Sequence, residues 1–576
     1  MILKSLNKFT SFLILIIFFQ PLIAEEEINI WNKEVKEKSE IKKTDNTKDK
    51  VISNSITSFN NDNTIKIENE ILEKSEDAKI FGIYDPAENN FNLNMWERTD
   101  AEKIRSSFKR INKIPLSNLA KKIFENTILS LAYPPKGMEE KEFINLKLDW
   151  LIDNKRVELI EIFLKQNNSF PNKKKLIQYL VDNNIAKADI KEGCEKIAFL
   201  DKDIKDSYLE KFKIYCLVFN KRTNEAQLQF DIFREQNKSD KFFNDKINFL
   251  LGFTDKTSQK TKDDNLLNFY LSSVTITNFK YEPKLNTPKV IWEYLNAANL
   301  IQLDDANDKE KIKSLEIAAN KDQFDKEKIF DIYSKITFDL NSLIKAEDIY
   351  QTFDNIDSRA LIYQKYLLSD NEESKIRLLF LLKDLFQKDN LLNVFVKLLS
   401  DKLKEIDDSL IPESYKEIVV KNIISEEEFK LGKIKFDDKI LHRSRLLKYF
   451  QNEIDKKKAQ KDFIKVYKKI KKNKKYFFSA KDLALVESLV NDGFEIPKDF
   501  NYQEISKKYS IPSNLLKLGE GDESAFLILK LVEIIGEDEA YDLDPETIYF
   551  ITHLLNQNNL KKIRNEILIS ALPLRS

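Results

Sequence analysis

From Asp100 onward, apolar side chains recur at three- and four-residue intervals between runs of Lys, Glu, Asp and Asn, the pattern of amphipathic helices that each bury one stripe. Ile104, Phe108 and Ile111 mark the first helix, with Thr99 or Asp100 as its cap and Glu102 in its first turn. The next covers residues 116–132 and is stopped by Tyr133-Pro134-Pro135-Lys136-Gly137. Residues 143–152 and 157–164 are joined by Asp153-Asn154-Lys155 alone, a connection so short that the two helices should be antiparallel neighbours. The same arrangement recurs at 176–181 with 186–200, at 208–219 with 226–233, at 360–368 with 376–386, then at 392–403, and at 548–555 with 560–571. Successive pairs start roughly 30 to 45 residues apart, within the period range of helical-hairpin solenoids.

Two stretches interrupt the rhythm. A polar insertion at 254–264 and the two prolines of 281–288 bracket residues 266–276, where Tyr270-Leu271 and Val274-Thr275-Ile276 read equally as helix or as a short strand. Residues 491–512, with Gly493, Pro497 and Pro512, read as a break before the last helices. Soft boundaries therefore fall near 280 and 495. They divide the repeat array into an N-terminal region (81–280), a central region (281–495) and C-terminal helices (496–576). Ahead of the array, the aromatic loop from Phe81 to Trp96 is expected to cover the first helices, because helical arrays need capped ends.

The chain's beginning follows a different pattern. Lys4 and Lys8 precede an unbroken apolar run from Phe12 to Phe19, and Pro21-Leu22-Ile23-Ala24 leads into acidic residues starting at Glu25, the order of a secretory signal peptide. Cleavage is expected near Ala24, giving a periplasmic or secreted protein. Retention as an inner-membrane anchor is the alternative, since Leu22 departs from the small-residue rule. Residues 25–80 are rich in Glu, Lys, Asn, Asp, Ser and Thr and lack either period, so they should form a disordered polar linker that tethers the array.

Composition narrows the chemistry. Of 576 residues, 42% are hydrophobic and 33% charged, while 9 Gly and 13 Pro leave too few turn formers for a sandwich, a propeller or a Rossmann-type enzyme. The expected fold is all-α: an irregular helical-hairpin repeat array, an α-solenoid that is tetratricopeptide-like in architecture alone, because bulky side chains occupy the positions where that repeat places Gly and Ala. Lys+Arg and Asp+Glu both number 95, so no global field favours nucleic acid.

Two His and two Cys leave little for metal or nucleophilic chemistry, and no catalytic, metal or cofactor site is expected. His442 and His553 fall in predicted helices and read as structural. Gly519-Glu520-Gly521 reads as a turn. Cys194 and Cys216 are expected to pair, as is usual in an exported protein. Their midpoint, Lys205, lies in the polar turn between two helices, which sets both sulfurs at similar height on an antiparallel hairpin.

Residues 455–475 carry the strongest local charge, 11 Lys against 2 Asp, with Phe463, Val466, Tyr467 and Ile470 on one apolar stripe. Lys456, Lys457, Lys458, Lys461, Lys465, Lys468, Lys469, Lys471, Lys472, Lys474 and Lys475 thus form a candidate anionic-surface site, set against the plainer reading of a solvated outer helix.

The order Gly82-Ile83-Tyr84-Asp85-Pro86, Trp96 with Thr99, two cysteines near one-third of the chain and a closing Leu560-Lys561-Lys562-Ile563-Arg564 helix resembles an uncharacterised family of exported bacterial helical-repeat proteins. The resemblance implies export and helical architecture and carries no activity. The function expected is a periplasmic scaffold, without catalysis, that binds a protein or a cell-envelope polymer. One alternative is a glycan-acting envelope enzyme using a carboxylate pair. Another is a protein held at an anionic membrane by its lysine-rich helix.

Overall fold

The computed structural model describes residues 79–301, 308–423, 433–507, 509 and 523–575. The signal segment, the linker up to residue 78 and Gly519-Glu520-Gly521 lie outside the described residues.

Acidic and hydroxyl side chains start many of the helices, and asparagines end many of them. Asp100 accepts from the Glu102 amide at 2.8 Å, and Ser117, Asp206, Asp354 and Asp544 cap in the same way. Among the described residues, eight of the twelve non-glycine positions with positive φ are Asn. At Asn299, Asn390 and Asn559 the next residue returns its N–H to a carbonyl five positions back, Leu300 to Leu295, Leu391 to Phe386 and Leu560 to Leu555, each at 2.8–2.9 Å. Asn tolerates the left-handed conformation that closes such ends. A chain with 9 Gly can therefore still turn after so many helices.

The result is an all-α helical array, with 26 α-helices among the described residues. The first group comprises α1 (Ala101–Ile111), α2 (Asn118–Ile128), α3 (Glu140–Asp153), α4 (Val157–Gln166), α5 (Lys173–Ala186), α6 (Ile190–Lys196), α7 (Ser207–Phe219), α8 (Thr223–Glu235), α9 (Lys241–Leu250), α10 (Leu266–Thr275) and α11 (Lys289–Ala297). The middle group is α12 (Lys309–Asn320), α13 (Lys326–Lys335), α14 (Leu340–Ile344), α15 (Ala346–Ile349), α16 (Asn355–Leu367), α17 (Glu372–Lys388), α18 (Leu392–Lys404) and α19 (Glu413–Asn422). The last is α20 (Leu447–Phe450), α21 (Lys456–Lys471), α22 (Ala480–Asn491), α23 (Tyr502–Ser506), α24 (Ser524–Ile535), α25 (Pro545–Gln557) and α26 (Lys561–Ala571). The strands are β1 (Ile434–Lys435) and β2 (Leu574–Arg575), paired antiparallel.

The apolar stripes converge on two cores. One combines the first and last groups, from Phe81 to Leu295 and from Leu441 to Leu572, and the other is built by the middle group. Helix α11 serves both, since Ile291, Tyr294 and Leu295 enter the first core and Trp292 enters the second. The first and last groups of described helices thus meet: α24 packs on α1 and α2, Arg110 pairs with Glu533 at 2.9 Å, and the Ser117 amide donates to Gly536 O at 2.9 Å.

The loop after Phe81 packs as expected, with Met95 and Trp96 fully buried and Trp96 edge-on to Phe143. It also reaches the last helices, where Ala525 donates to Met95 O and Lys562 N to Asn90. Residues 266–276, open between helix and strand in the sequence, form helix α10 up to Thr275, with Ile276 extended after it. Asn265 caps the helix, and Ser272 and Thr275 donate their hydroxyls to carbonyls four residues back.

Candidate functional site

Helix α21 starts at Asp455, whose carboxylate accepts from the Lys458 amide at 2.7 Å. Ala459, Phe463, Val466, Tyr467 and Ile470 are buried in the first core, the stripe read from the sequence with Ala459 added. Reciprocal bonds of 2.9 Å between the Gln460 amide group and the Glu495 backbone pin the helix to the 494–500 loop. Tyr467 adds a bond to Asp499 O and an edge-on contact with the Phe500 ring.

With one side so fixed, the other must face outward, and all eleven candidate lysines are exposed. Two have ion-pair partners: Lys469 lies 3.2 Å from Asp438, and Lys471 pairs with Asp499. The hydrogen bond from Lys471 holds the Asp499 carboxyl below its ordinary range. Lys456 stands over the Phe494 ring at 5.8 Å. Lys457, Lys458, Lys461, Lys465, Lys468, Lys472, Lys474 and Lys475 have no ion-pair partner among the described residues.

Neither carboxylate of the segment relieves this charge, because Asp455 serves as the cap and Asp462 is buried. Lys456, Lys457 and Lys458 also occupy the first turn, where the helix dipole already presents its positive end. Cations there are disfavoured by about 0.3–1 kcal/mol each on an exposed helix. Burial of the stripe holds the helix in spite of them.

Two apolar side chains escape burial within this cationic surface. Ile464 is 40% exposed on the outward side, one helical turn from Lys461 and from Lys468. Phe477 is 75% exposed, the highest value for any large apolar side chain among the described residues. It follows Lys474 and Lys475 in the turn between α21 and α22, while its neighbours point inward: Tyr476 receives the Leu441 amide and bonds Asp482, and Phe478 packs on Phe500. Sequence reading found the lysines and missed both of these. The available signals were that Ile464 falls off the 463-466-467-470 stripe, and that three aromatics in a row cannot all face one way in an extended turn.

Beside α21 lies an open cleft of about 620 Å³, whose lining includes Phe436, Asp438, Arg445, Lys458, Asp462 and Lys469. Burial acts to raise the Asp438 carboxyl, but hydrogen bonds from Arg445 and Lys469 outweigh it and hold the group below its ordinary range.

Both histidines pair through Nδ1 with carboxylates of α22: His442 with Asp482 at 2.7 Å and His553 with Glu487 at 2.5 Å. His553 lies in α25 as expected, whereas His442 sits in the short 3-10 turn Leu441–Arg443 rather than in an α-helix. Among the described residues, no group of three or more His, Cys, Asp or Glu is placed to hold a metal ion. Burial pushes up the carboxyls of Glu125, Asp182 (to about 6) and Glu316, and each is engaged by a partner, Arg156, Tyr208 and Arg359 respectively. Cys194 of α6 and Cys216 of α7 form the disulfide read from the sequence, with Cα atoms 5.5 Å apart. Comparison with family models, with curated proteins and with solved structures returned no match for this chain.

Proposed function

We propose that this protein is an exported, non-catalytic helical scaffold whose α21 face docks a polyanionic component of the cell envelope. The observation that carries this reading is the exposure of all eleven lysines of 456–475, nine of them without an ion-pair partner among the described residues. Surface charge is usually balanced nearby, and in this protein it is balanced over the whole chain, with 95 residues of each sign. A single-sign surface held rigidly by a buried stripe creates a local potential that a neutral chain otherwise lacks. The two-core array supplies the rigid base that keeps these side chains on one surface.

Immobilised polyphosphate tests the proposal. The protein should be retained at physiological salt and released as salt rises. Substituting Lys457, Lys461, Lys465, Lys468 and Lys472 with Gln should abolish retention. Substituting five exposed lysines elsewhere (Lys260, Lys313, Lys321, Lys335 and Lys345) should leave it nearly unchanged. Equal loss in the two variants would show that total charge and not this face is responsible, and would reject the proposal.

A further inference from the structure

The charge of α21 suits any polyanion, but its exposed apolar residues do not. A phosphate- or carboxylate-rich polymer gains nothing from a solvent-facing phenyl ring, whereas an anionic bilayer offers headgroups for the lysines and an acyl boundary for the ring. Phe477, 75% exposed and two residues after Lys475, stands in the turn that follows the cationic helix. Tyr476 and Phe478 are anchored inward on either side of it, which fixes the ring's outward direction. Ile464, seven residues before the helix ends at Lys471, provides a second apolar point among the exposed lysines. Such a surface would lie on a membrane and not cross it: no helix among the described residues is long and apolar enough to span a bilayer.

We infer that the occupant of the α21 face is an anionic phospholipid surface, bound peripherally with the lysines at the headgroups and Phe477 inserted at the acyl boundary. This rests on the proposed polyanion-docking role and adds a partner to it. Affinity then has two separable parts. The electrostatic part is additive over lysines near the surface and is screened by salt. The apolar part depends on Phe477 and persists when salt is raised.

The test uses the full chain with two vesicle compositions, phosphatidylcholine alone and phosphatidylcholine with one-third phosphatidylglycerol, alongside immobilised polyphosphate. Co-sedimentation is expected with the anionic vesicles alone and should fall steeply between about 0.1 M and 0.5 M NaCl. Phe477→Ser should weaken partition about tenfold while leaving polyphosphate retention unchanged. Phe477→Trp should preserve partition and give a fluorescence component quenched by lipids brominated on their acyl chains. Trp31 is replaced by Phe in both the parent and the variant, and the other three tryptophans, Trp96, Trp150 and Trp292, are buried and should contribute no quenching. Retention on polyphosphate without vesicle binding, or vesicle binding unaffected by Phe477→Ser, would overturn the membrane assignment and leave a polymer as the occupant. Failure to bind either would overturn the docking role itself.

Discussion

Arg359 is the least dispensable charge of the second core. Its side chain is 2% exposed and that of its partner Glu316 is 0% exposed. Nη2 donates to Glu316 at 2.7 Å, Nε donates to the Tyr333 hydroxyl at 3.0 Å, and Nη1 pairs with Asp389, while the guanidinium lies 5.3 Å from the Phe386 ring centre. Replacing Arg359 with Met leaves a carboxylate stranded in an apolar core. Loss of one partner of such a buried pair costs about 3–5 kcal/mol. Burial already pushes the Glu316 carboxyl up against the opposing pull of Arg359, so removing Arg359 should push it further in the same direction. The second core has its own set of side chains, so the damage should be local. Hydrogen exchange in α12 and α16 should speed up roughly 150- to 5,000-fold, with the helices of the first core little changed. A triple variant, Glu316→Leu with Tyr333→Phe and Arg359→Met, removes the polar groups stranded inside the core, leaves the partly exposed Asp389 to solvent and Asn355, and should recover most of that protection, since buried ion networks are replaceable by apolar side chains. Protection in Arg359→Met within about threefold of the parent would refute this energetic account. A triple variant as labile as the single would refute it equally.

Three further outcomes follow from other parts of the fold. The Cys194–Cys216 link spans a sequence separation of 22, so Cys194→Ser with Cys216→Ser should lower stability by about 3.4 kcal/mol in the chain-entropy model, seen as a lower urea midpoint; a loss below about 1 kcal/mol would show that the closed loop restrains little in the unfolded chain. A Cβ at Gly82 would stand 2.7 Å from Leu129 O and 2.8 Å from Leu131 N, both backbone atoms, so Gly82→Ala should cost about 1–3 kcal/mol and open the 81–84 strap to limited proteolysis. Lys147 is fully buried, its amine donating to Phe81 O and Ser130 O, and burial lowers its pKa to about 7. Between about pH 7 and the unfolded-state value of 10.5 the folded protein holds fewer protons than the unfolded chain, so stability should rise with pH, by about 2 kcal/mol from pH 7 to 9. Lys147→Met should remove that increment in paired denaturation curves, and identical pH slopes in the two proteins would refute the assignment.

Local features were readable because they are written locally. The periodicity of 104-108-111 or 463-466-467-470 specifies a helix and its buried face without knowledge of the partner, and the cysteine pair was legible because its midpoint falls in a turn. Boundaries were less so. The sequence reading ends a helix at Val181 and starts the next at Ala186. The structure carries α5 through to Ala186, since Asp182 bonds the Tyr208 hydroxyl and Asn184 donates to Leu180 O, and the chain turns at Ala188 with φ 57°. The meeting of the first and last groups of helices had no local signal. Arg110 and Glu533 are 423 residues apart, and neither lies in a pattern that marks a buried contact.

The cationic helix shows where the limit of such reading falls. Counting eleven lysines against two aspartates identifies a charged segment, but charge becomes a docking surface only when all of it faces one way. That direction is set by tertiary packing. Phe463, Val466, Tyr467 and Ile470 enter the core, Asp462 goes with them, and Asp455 is held at the cap, so the outward side loses its only two acids at once. The same packing turns Tyr476 and Phe478 inward and thereby strands Phe477 in solvent. A helix serving only as a solvated cover would gain by exchanging some outward lysines for glutamates, particularly in the first turn, where three cations oppose the dipole. The sequence forgoes that stabilisation and leaves an aromatic ring exposed beside the lysines. Both departures weaken the isolated fold, and both suit the proposed contact with a surface that is negative outside and apolar beneath.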